Sequence, residues 1–272
     1  MHDLYVVPKT GAAYVDNVVG DSDTERRFYL QVWRGSDLAT FHQDRFVSTA
    51  SIELPFIPYQ LVHFGKGKLW LAGSDCKVHQ FDIHVGPDLS VTESAEHPLS
   101  SFTFTSPIIK IGTVNCLDTK WVAVGCDDGH LAVYQLVDKA KQVLTHNFEG
   151  LSDVNFAVVD NQQVNLVVVV SMGISKMFLD LSADNHQPNL VSLDKSNDYD
   201  VALTTCNCLH GDENQTVTLL GTYGQEILIY DTVSGNLLGQ HSVNHPILCM
   251  LPAEKSSVAI MTNKSVEVLE IK

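Results

Sequence analysis

What most constrains the fold of this chain is a short two-stroke phrase that keeps returning. Its cleanest copy is Thr216 to Asp231, Thr-Val-Thr-Leu-Leu-Gly-Thr-Tyr-Gly-Gln-Glu-Ile-Leu-Ile-Tyr-Asp. An apolar, β-branched run ends at Gly221, a short turn carries Gly224, and a second run from Ile227 to Tyr230 closes on Asp231, the signal of a β-hairpin. The phrase recurs as Tyr14–Gly20 with Phe28–Trp33, Lys68–Gly73 with Val78–Ile83, Trp121–Gly125 with Leu131–Leu136, Leu166–Ser171 with Met177–Leu181, and Val258–Thr262 with Val266–Ile271. Six hairpins are therefore expected. Their anchors Gly20, Gly73, Gly125, Gly173, Gly221 and Thr262 are 53, 52, 48, 48 and 41 residues apart. Four-stranded propeller blades take about 40 to 50 residues each. Helix-pair solenoids are excluded, because the runs are too short and too rich in Val, Ile and Tyr.

The expected fold is therefore all-β, a β-propeller of four-stranded blades. Residues 1–272 form a single domain, since no Gly/Ser-rich, Pro-rich or like-charge tract interrupts the array. Six or seven blades fit the spacing. The last run, Val266–Ile271, reaches Lys272 without a strand to complete its blade, so either Asp3–Val7 closes the ring or material is missing. An unclosed propeller exposes sheet faces that a partner has to cover.

Along the chain, Asp3–Val7 reads as a strand turned by Pro8 to Gly11 into the first hairpin, and Gly35–Thr49 as a long connection or an outer strand. Pro55 and Pro58 pin the backbone as it crosses between blades, and Pro107 and Pro246 open strands at Ile108 and Ile247. Leu166–Val170 is apolar throughout, as in a strand covered on both faces.

Charge and motifs narrow the chemistry. The net charge of -15 with 17 Lys plus Arg argues against nucleic acid and anionic membrane surfaces, which both require clustered cations. No apolar stretch has a membrane span's length, and Met1–Pro8 lacks a signal peptide's core, so an intracellular chain without membrane insertion is expected. Cys76, Cys116, Cys126, Cys206, Cys208 and Cys249 read as free thiols within strands. Cys206-x-Cys208 with His210 lacks a second ligand pair, and His241 and His245 bracket a strand end, so no metal is expected. No nucleophile elbow, phosphate loop or His-Glu-x-x-His is present; no catalytic residue, cofactor or enzyme activity is expected. A propeller enzyme would instead need carboxylates gathered around a central channel.

The four arginines, Arg26, Arg27, Arg34 and Arg45, all lie in the first 45 residues. Trp33 stands beside Arg34, and Arg26 and Arg27 occupy the preceding turn. Trp with Arg is the composition of binding hot spots, so Arg26, Arg27, Trp33 and Arg34 are the candidate partner-binding residues. The competing expectation is that Arg26 and Arg27 only solubilise a loop. Trp33, Trp70 and Trp121 fall in three different hairpins, where burial between blades is the default.

Three segments, Leu54-Pro-Phe-Ile-Pro-Tyr-Gln-Leu-Val-His63, Val124-Gly-Cys-Asp-Asp-Gly-His-Leu131 and above all Leu220-Gly-Thr-Tyr-Gly-Gln-Glu-Ile-Leu-Ile-Tyr230, resemble the kaptin family of propeller subunits of the KICSTOR assembly. The resemblance runs from Glu53 nearly to the end and is loose over Met1–Phe46. It implies a non-enzymatic scaffold that pairs with an FG-GAP-repeat propeller and other KICSTOR subunits. It also implies tethering of the Rag GTPase-activating GATOR complex at the lysosomal surface, restraining TOR complex signalling when amino acids or glucose are scarce. The second implied reading is an actin-associated protein at motile cell edges, which the low Lys and Arg content disfavours because filaments are acidic. Against the family pattern, the chain begins about one blade late and stops before a basic helical tail. Thr205-Cys-Asn-Cys-Leu-His-Gly-Asp212 carries too few carboxylates for a calcium loop.

Overall fold

The computed structural model describes residues 4–9, 28–34, 50–65, 67–86, 88–116, 119–158, 163–170, 173–180, 189–192, 202–210, 215–253 and 256–271. Among them every regular element is a strand. The first sheet holds β1 (Leu4–Lys9), β2 (Phe28–Arg34) and β3 (Ala50–Leu54), and the second β4 (Pro58–Gly65), β5 (Lys68–Gly73), β6 (Val78–Val85) and β7 (Leu89–Ser94). The third contains β8 (Ile108–Cys116), β9 (Thr119–Cys126), β10 (His130–Leu136) and β11 (Ala140–Asn147). The fourth contains β12 (Leu151–Val158), β13 (Gln163–Val170), β14 (Gly173–Asp180) and β15 (Asn189–Ser192). The fifth contains β16 (Ala202–His210), β17 (Gln215–Thr222), β18 (Glu226–Asp231) and β19 (Leu237–Ser242), and the sixth β20 (Ile247–Pro252), β21 (Ser257–Thr262) and β22 (Val266–Glu270). Each is an antiparallel meander in chain order, which is the blade of a β-propeller.

Five expected hairpins are present: β5–β6, β9–β10, β13–β14, β17–β18 and β21–β22. At the sixth the strand assignment differs. β2 pairs with β1 on one side, Leu4 opposite Arg34, and with β3 on the other, Phe28 opposite Leu54. Tyr14–Gly20, the expected partner, lies outside the described residues, as does Gly35–Thr49. The closing role foreseen for Asp3–Val7 is also corrected. β1 is a member of the first sheet, and among the described residues β22 pairs only with β21. Hairpin spacing identifies strands that are neighbours in sequence, whereas the partner of a terminal strand is set by long-range packing.

The chain divides into two compact units, Met1–Ile108 and Ile109–Lys272. In the first unit, Leu30, Val32 and Leu54 pack against Leu69, Leu71 and Phe81 of the second sheet. In the second unit, Trp121, Ala123, Leu131 and Val133 of the third sheet meet Leu151, Val154 and Phe156 of the fourth. Val217, Leu219 and Ile227 of the fifth meet Met250, Val258 and Ile260 of the sixth. Each large side chain buried this way contributes roughly 1.5–3 kcal/mol relative to exposure.

The prolines act where expected. β3 ends one residue before Pro55 and β4 begins at Pro58, while β8 and β20 start directly after Pro107 and Pro246. Gly73 shows why a glycine ends β5. A Cβ there would lie 1.9 Å from the Ile57 carbonyl oxygen of this connector, so only glycine admits the crossing strand.

Candidate interaction surface

In three sheets, the turn between the second and third strands of the blade carries a residue of positive φ: Cys76 (62°), Gly129 (87°) and Gln225 (68°). Each turns its carbonyl toward the connector leading to the next sheet and accepts an amide from it. Phe104 donates to Cys76 at 3.0 Å, Phe148 to Gly129 at 2.9 Å and Val243 to Gln225 at 2.8 Å. All three donors are buried apolar residues. They plug the end of the sheet while their amides hold the turn, so the loops on this side are fixed by the repeat itself. Asp128 supports the Gly129 turn by accepting the His130 amide at 3.0 Å, and His130 Nδ1 lies 3.1 Å from Asn147 Oδ1. His130 is thus structural, as its position after a turn glycine suggests.

Two polar constellations stand out. On the second sheet, His79 of β6 is held between carboxylates, with Nε2 2.7 Å from Asp75 Oδ2 and Nδ1 2.7 Å from Glu93 Oε1. Phe56 of the connector stacks on the ring at 4.4 Å. The group ties turn, third strand, outer strand and connector together, and it presents no nucleophile to activate. Beside it, burial pushes the His97 imidazole down, a Val78 backbone hydrogen bond acting in the opposite direction.

The second constellation joins neighbouring sheets in the second unit. Asp153 of β12 is buried, and its Oδ2 accepts the Thr205 amide of β16 at 2.7 Å. Its Oδ1 accepts the Val154 amide at 2.9 Å and lies 3.5 Å from Lys110 Nζ of β8. A buried carboxylate with this many donors is a cross-sheet staple. Cys249 of β20 senses the same charges. Burial raises its thiol pKa, the Lys110 ammonium opposes that shift and the Asp153 carboxylate adds to it.

The remaining feature is apolar and open. On the sixth sheet Met250, Val258 and Ile260 face the fifth sheet and are buried. The opposite face carries the cross-strand rows Leu251–Ala259–Val268 and Cys249–Met261–Val266. There Leu251, Met261, Val266 and Val268 are 61%, 41%, 68% and 69% exposed. A contiguous apolar sheet face of this kind marks an interaction site. Sequence reasoning expected exposed sheet faces if the ring did not close, but it did not name these residues, although Val-Glu-Val-Leu-Glu270 carries the alternation of a half-covered strand.

Of the predicted site residues, Trp33 and Arg34 lie on β2 opposite Tyr5 and Leu4. Arg26 and Arg27 lie outside the described residues. Trp70 and Trp121 are core residues: Trp70 donates from Nε1 to Gln80 Oε1 at 3.1 Å and stacks on Phe64, and Trp121 is 1% exposed. Cys76, Cys116, Cys126 and Cys249 are free thiols. Cys206 and Cys208 share one face of β16, opposite Leu219 and Val217.

The meander sheets, their stacking and their apolar seams define a β-propeller protein. Two propeller structures share the fold. Saccharomyces cerevisiae Sqt1 superposes with a TM-score of 0.59 at 11% identity over 89% of this chain and 65% of that one. BBS1N, solved in complex with ARL6DN, superposes with a TM-score of 0.55 at 12% identity over 90% of this chain and 72% of that one. No curated protein matches the sequence. The family described as KICSTOR complex protein kaptin matches residues 148–269, and over that stretch the chain is similar to it.

Proposed function

We propose that the chain works as one non-enzymatic propeller domain, a kaptin-type scaffold within a KICSTOR-like assembly. In this reading it pairs with an FG-GAP-repeat propeller and other KICSTOR subunits. The assembly holds the GATOR complex at the lysosomal surface and restrains TOR complex signalling when nutrients are scarce. The observation that carries the reading is the kaptin family match over residues 148–269, which includes the Tyr223-Gly-Gln-Glu226 hairpin. The chemistry of the surface agrees with it. The polar constellations brace turns and sheets, and the open surface is apolar, as a protein contact requires. Arg26, Arg27, Trp33 and Arg34 are proposed as partner contacts.

The test is affinity purification of the tagged chain from cells of its own source, followed by mass spectrometry of what stays bound. Recovery of an FG-GAP propeller with GATOR subunits is expected, reduced by Arg26→Glu with Arg27→Glu. Recovery of actin without them would replace the scaffold with the cytoskeletal reading, and recovery of neither from a folded chain would overturn both.

A further inference from the structure

The second sheet holds a histidine whose surroundings fit one protonation state. His97 lies in the connector, residues 95–107, that leads from β7 to β8. Its ring centroid is 5.8 Å from that of Trp70 of β5, a fully buried side chain. Its Nδ1 is buried without a hydrogen-bond partner, and its other ring nitrogen bonds the Val78 backbone at the start of β6. A neutral ring with its proton on Nε2 satisfies that bond and leaves Nδ1 a lone pair. Charging the ring puts a second N–H at Nδ1, where it meets no acceptor.

The groups around the ring do not repair this. Glu93 of β7 favours a charge on it, while His79 of β6 opposes one. Asp75 and Lys77 of the β5–β6 turn and Glu96 of the connector do not bond Nδ1, and Asp75 Oδ1 is itself buried without a partner. Lys68 of β5 and Asp82 of β6 pair with each other at 3.9 Å. Burial outweighs the Val78 bond and holds the His97 pKa below its ordinary value of 6.5. The connector is fastened just after the ring. The His97 carbonyl accepts the Ser100 amide and the Leu99 carbonyl the Phe102 amide, both at 3.0 Å; Leu99 is fully buried, and Phe104 donates to Cys76.

We propose that His97 is a pH-sensitive latch, whose neutral ring holds the 95–107 connector on the second sheet and whose protonation releases it. The latch goes beyond the scaffold reading and does not rest on it. The docked ring refuses a proton that the released ring accepts. The hold is therefore complete above pH 6.5 and weakens as pH falls below that value. At about pH 5.5 the released form gains at most about tenfold from the proton.

The test is hydrogen–deuterium exchange of the whole chain at about pH 7.5 and about pH 5.5. Mass spectrometry reads residues 95–107, corrected for the intrinsic pH dependence of exchange. Protection of the connector is expected to drop by up to about tenfold at the lower pH, while β9 and β10 keep theirs. In His97→Gln, whose amide donates to Val78 but does not titrate, the drop should vanish. NMR of isotope-labelled histidine Cε1 reads the midpoint in the unaltered chain, the His97 signal being the one missing from His97→Gln. That midpoint should lie below 6.5. A midpoint at or above 6.5, equal protection at both pH values, or an equal loss in β9 and β10 would overturn the latch. So would a drop that survives in His97→Gln, which would pass the role to the His79 group. Where the substitution itself unfastens the connector at about pH 7.5, the NMR midpoint decides alone.

Discussion

The third and sixth sheets are built from similar hairpins and end in opposite environments. In β9 and β10 residues of both parities are buried: Trp121, Ala123, Leu131 and Val133 on one face, Val122, Val124 and Ala132 on the other. In β21 and β22 burial alternates, with Val258 and Ile260 covered and Val266 and Val268 open. The turns differ as well. The β9–β10 turn depends on a glycine whose carbonyl is bonded by the next connector. The β21–β22 turn is held locally, with Thr262 Oγ1 accepting the amides of Ser265 at 2.9 Å and Lys264 at 3.2 Å. A turn is thus fastened either by the next connector or by its own residues, and the sixth sheet, packed on the fifth by one face, keeps the apolar residues of the other exposed.

Breaking the buried sheet should produce the largest effect. Trp121→Ala removes a side chain buried on all sides and should cost about 3–5 kcal/mol in denaturant unfolding. Val268→Ala on the open face should stay within about 0.5 kcal/mol. Equal losses would mean that the two sheets are not differently covered. Next comes Gly129→Ala. A Cβ would stand 1.8 Å from the Phe148 carbonyl oxygen at a φ of 87°, so turn and connector must part. A loss of at least about 2 kcal/mol is expected.

The corresponding change in the self-held turn, Thr262→Ala, should cost about 1 kcal/mol, because two amides lose one hydroxyl acceptor at a buried position while the backbone bond from the Thr262 amide to the Ser265 carbonyl remains. If it cost as much as Gly129→Ala, the distinction between neighbour-held and self-held turns would fail. The smallest effect is chemical and sharpens the comparison without altering the fold. Cys249 is half-covered, whereas Cys116 and Cys126 are buried. Alkylation followed by mass spectrometry should label Cys249 first among these three in the native state. Because burial raises its thiol pKa, its thiolate fraction at pH 8 falls below that of an ordinary cysteine, and labelling should still be climbing above pH 9. A rate that levels off by pH 8 would contradict the raised thiol.

The internal hairpins, the proline-opened strands and the buried Trp70 and Trp121 were all legible in the sequence, because period-2 patterning and turn residues act over a few neighbours. The positive-φ roles of Cys76 and Gln225 were not. A turn glycine advertises its conformation, but cysteine and glutamine do not, and the bond that holds each comes from a plug residue 28 or 18 positions away (Phe104 for Cys76, Val243 for Gln225). The Asp153 staple was equally hidden, because its partner Thr205 is 52 residues distant. The arginine-rich candidate site came from composition alone, and of its four residues the described structure includes Trp33 and Arg34.

By itself the sequence determined that this chain makes short antiparallel meanders, how many residues each takes, where prolines open them and which tryptophans enter a core. Those properties follow from local backbone preference and side-chain alternation. Only the tertiary structure decided that β1 belongs to the first sheet, that Asp153 joins two sheets, and that one apolar face of the sixth sheet is left open. An alternating strand presents an apolar face whether or not anything packs on it. Coverage depends on which distant sheet arrives there, and no residue within the strand carries that information.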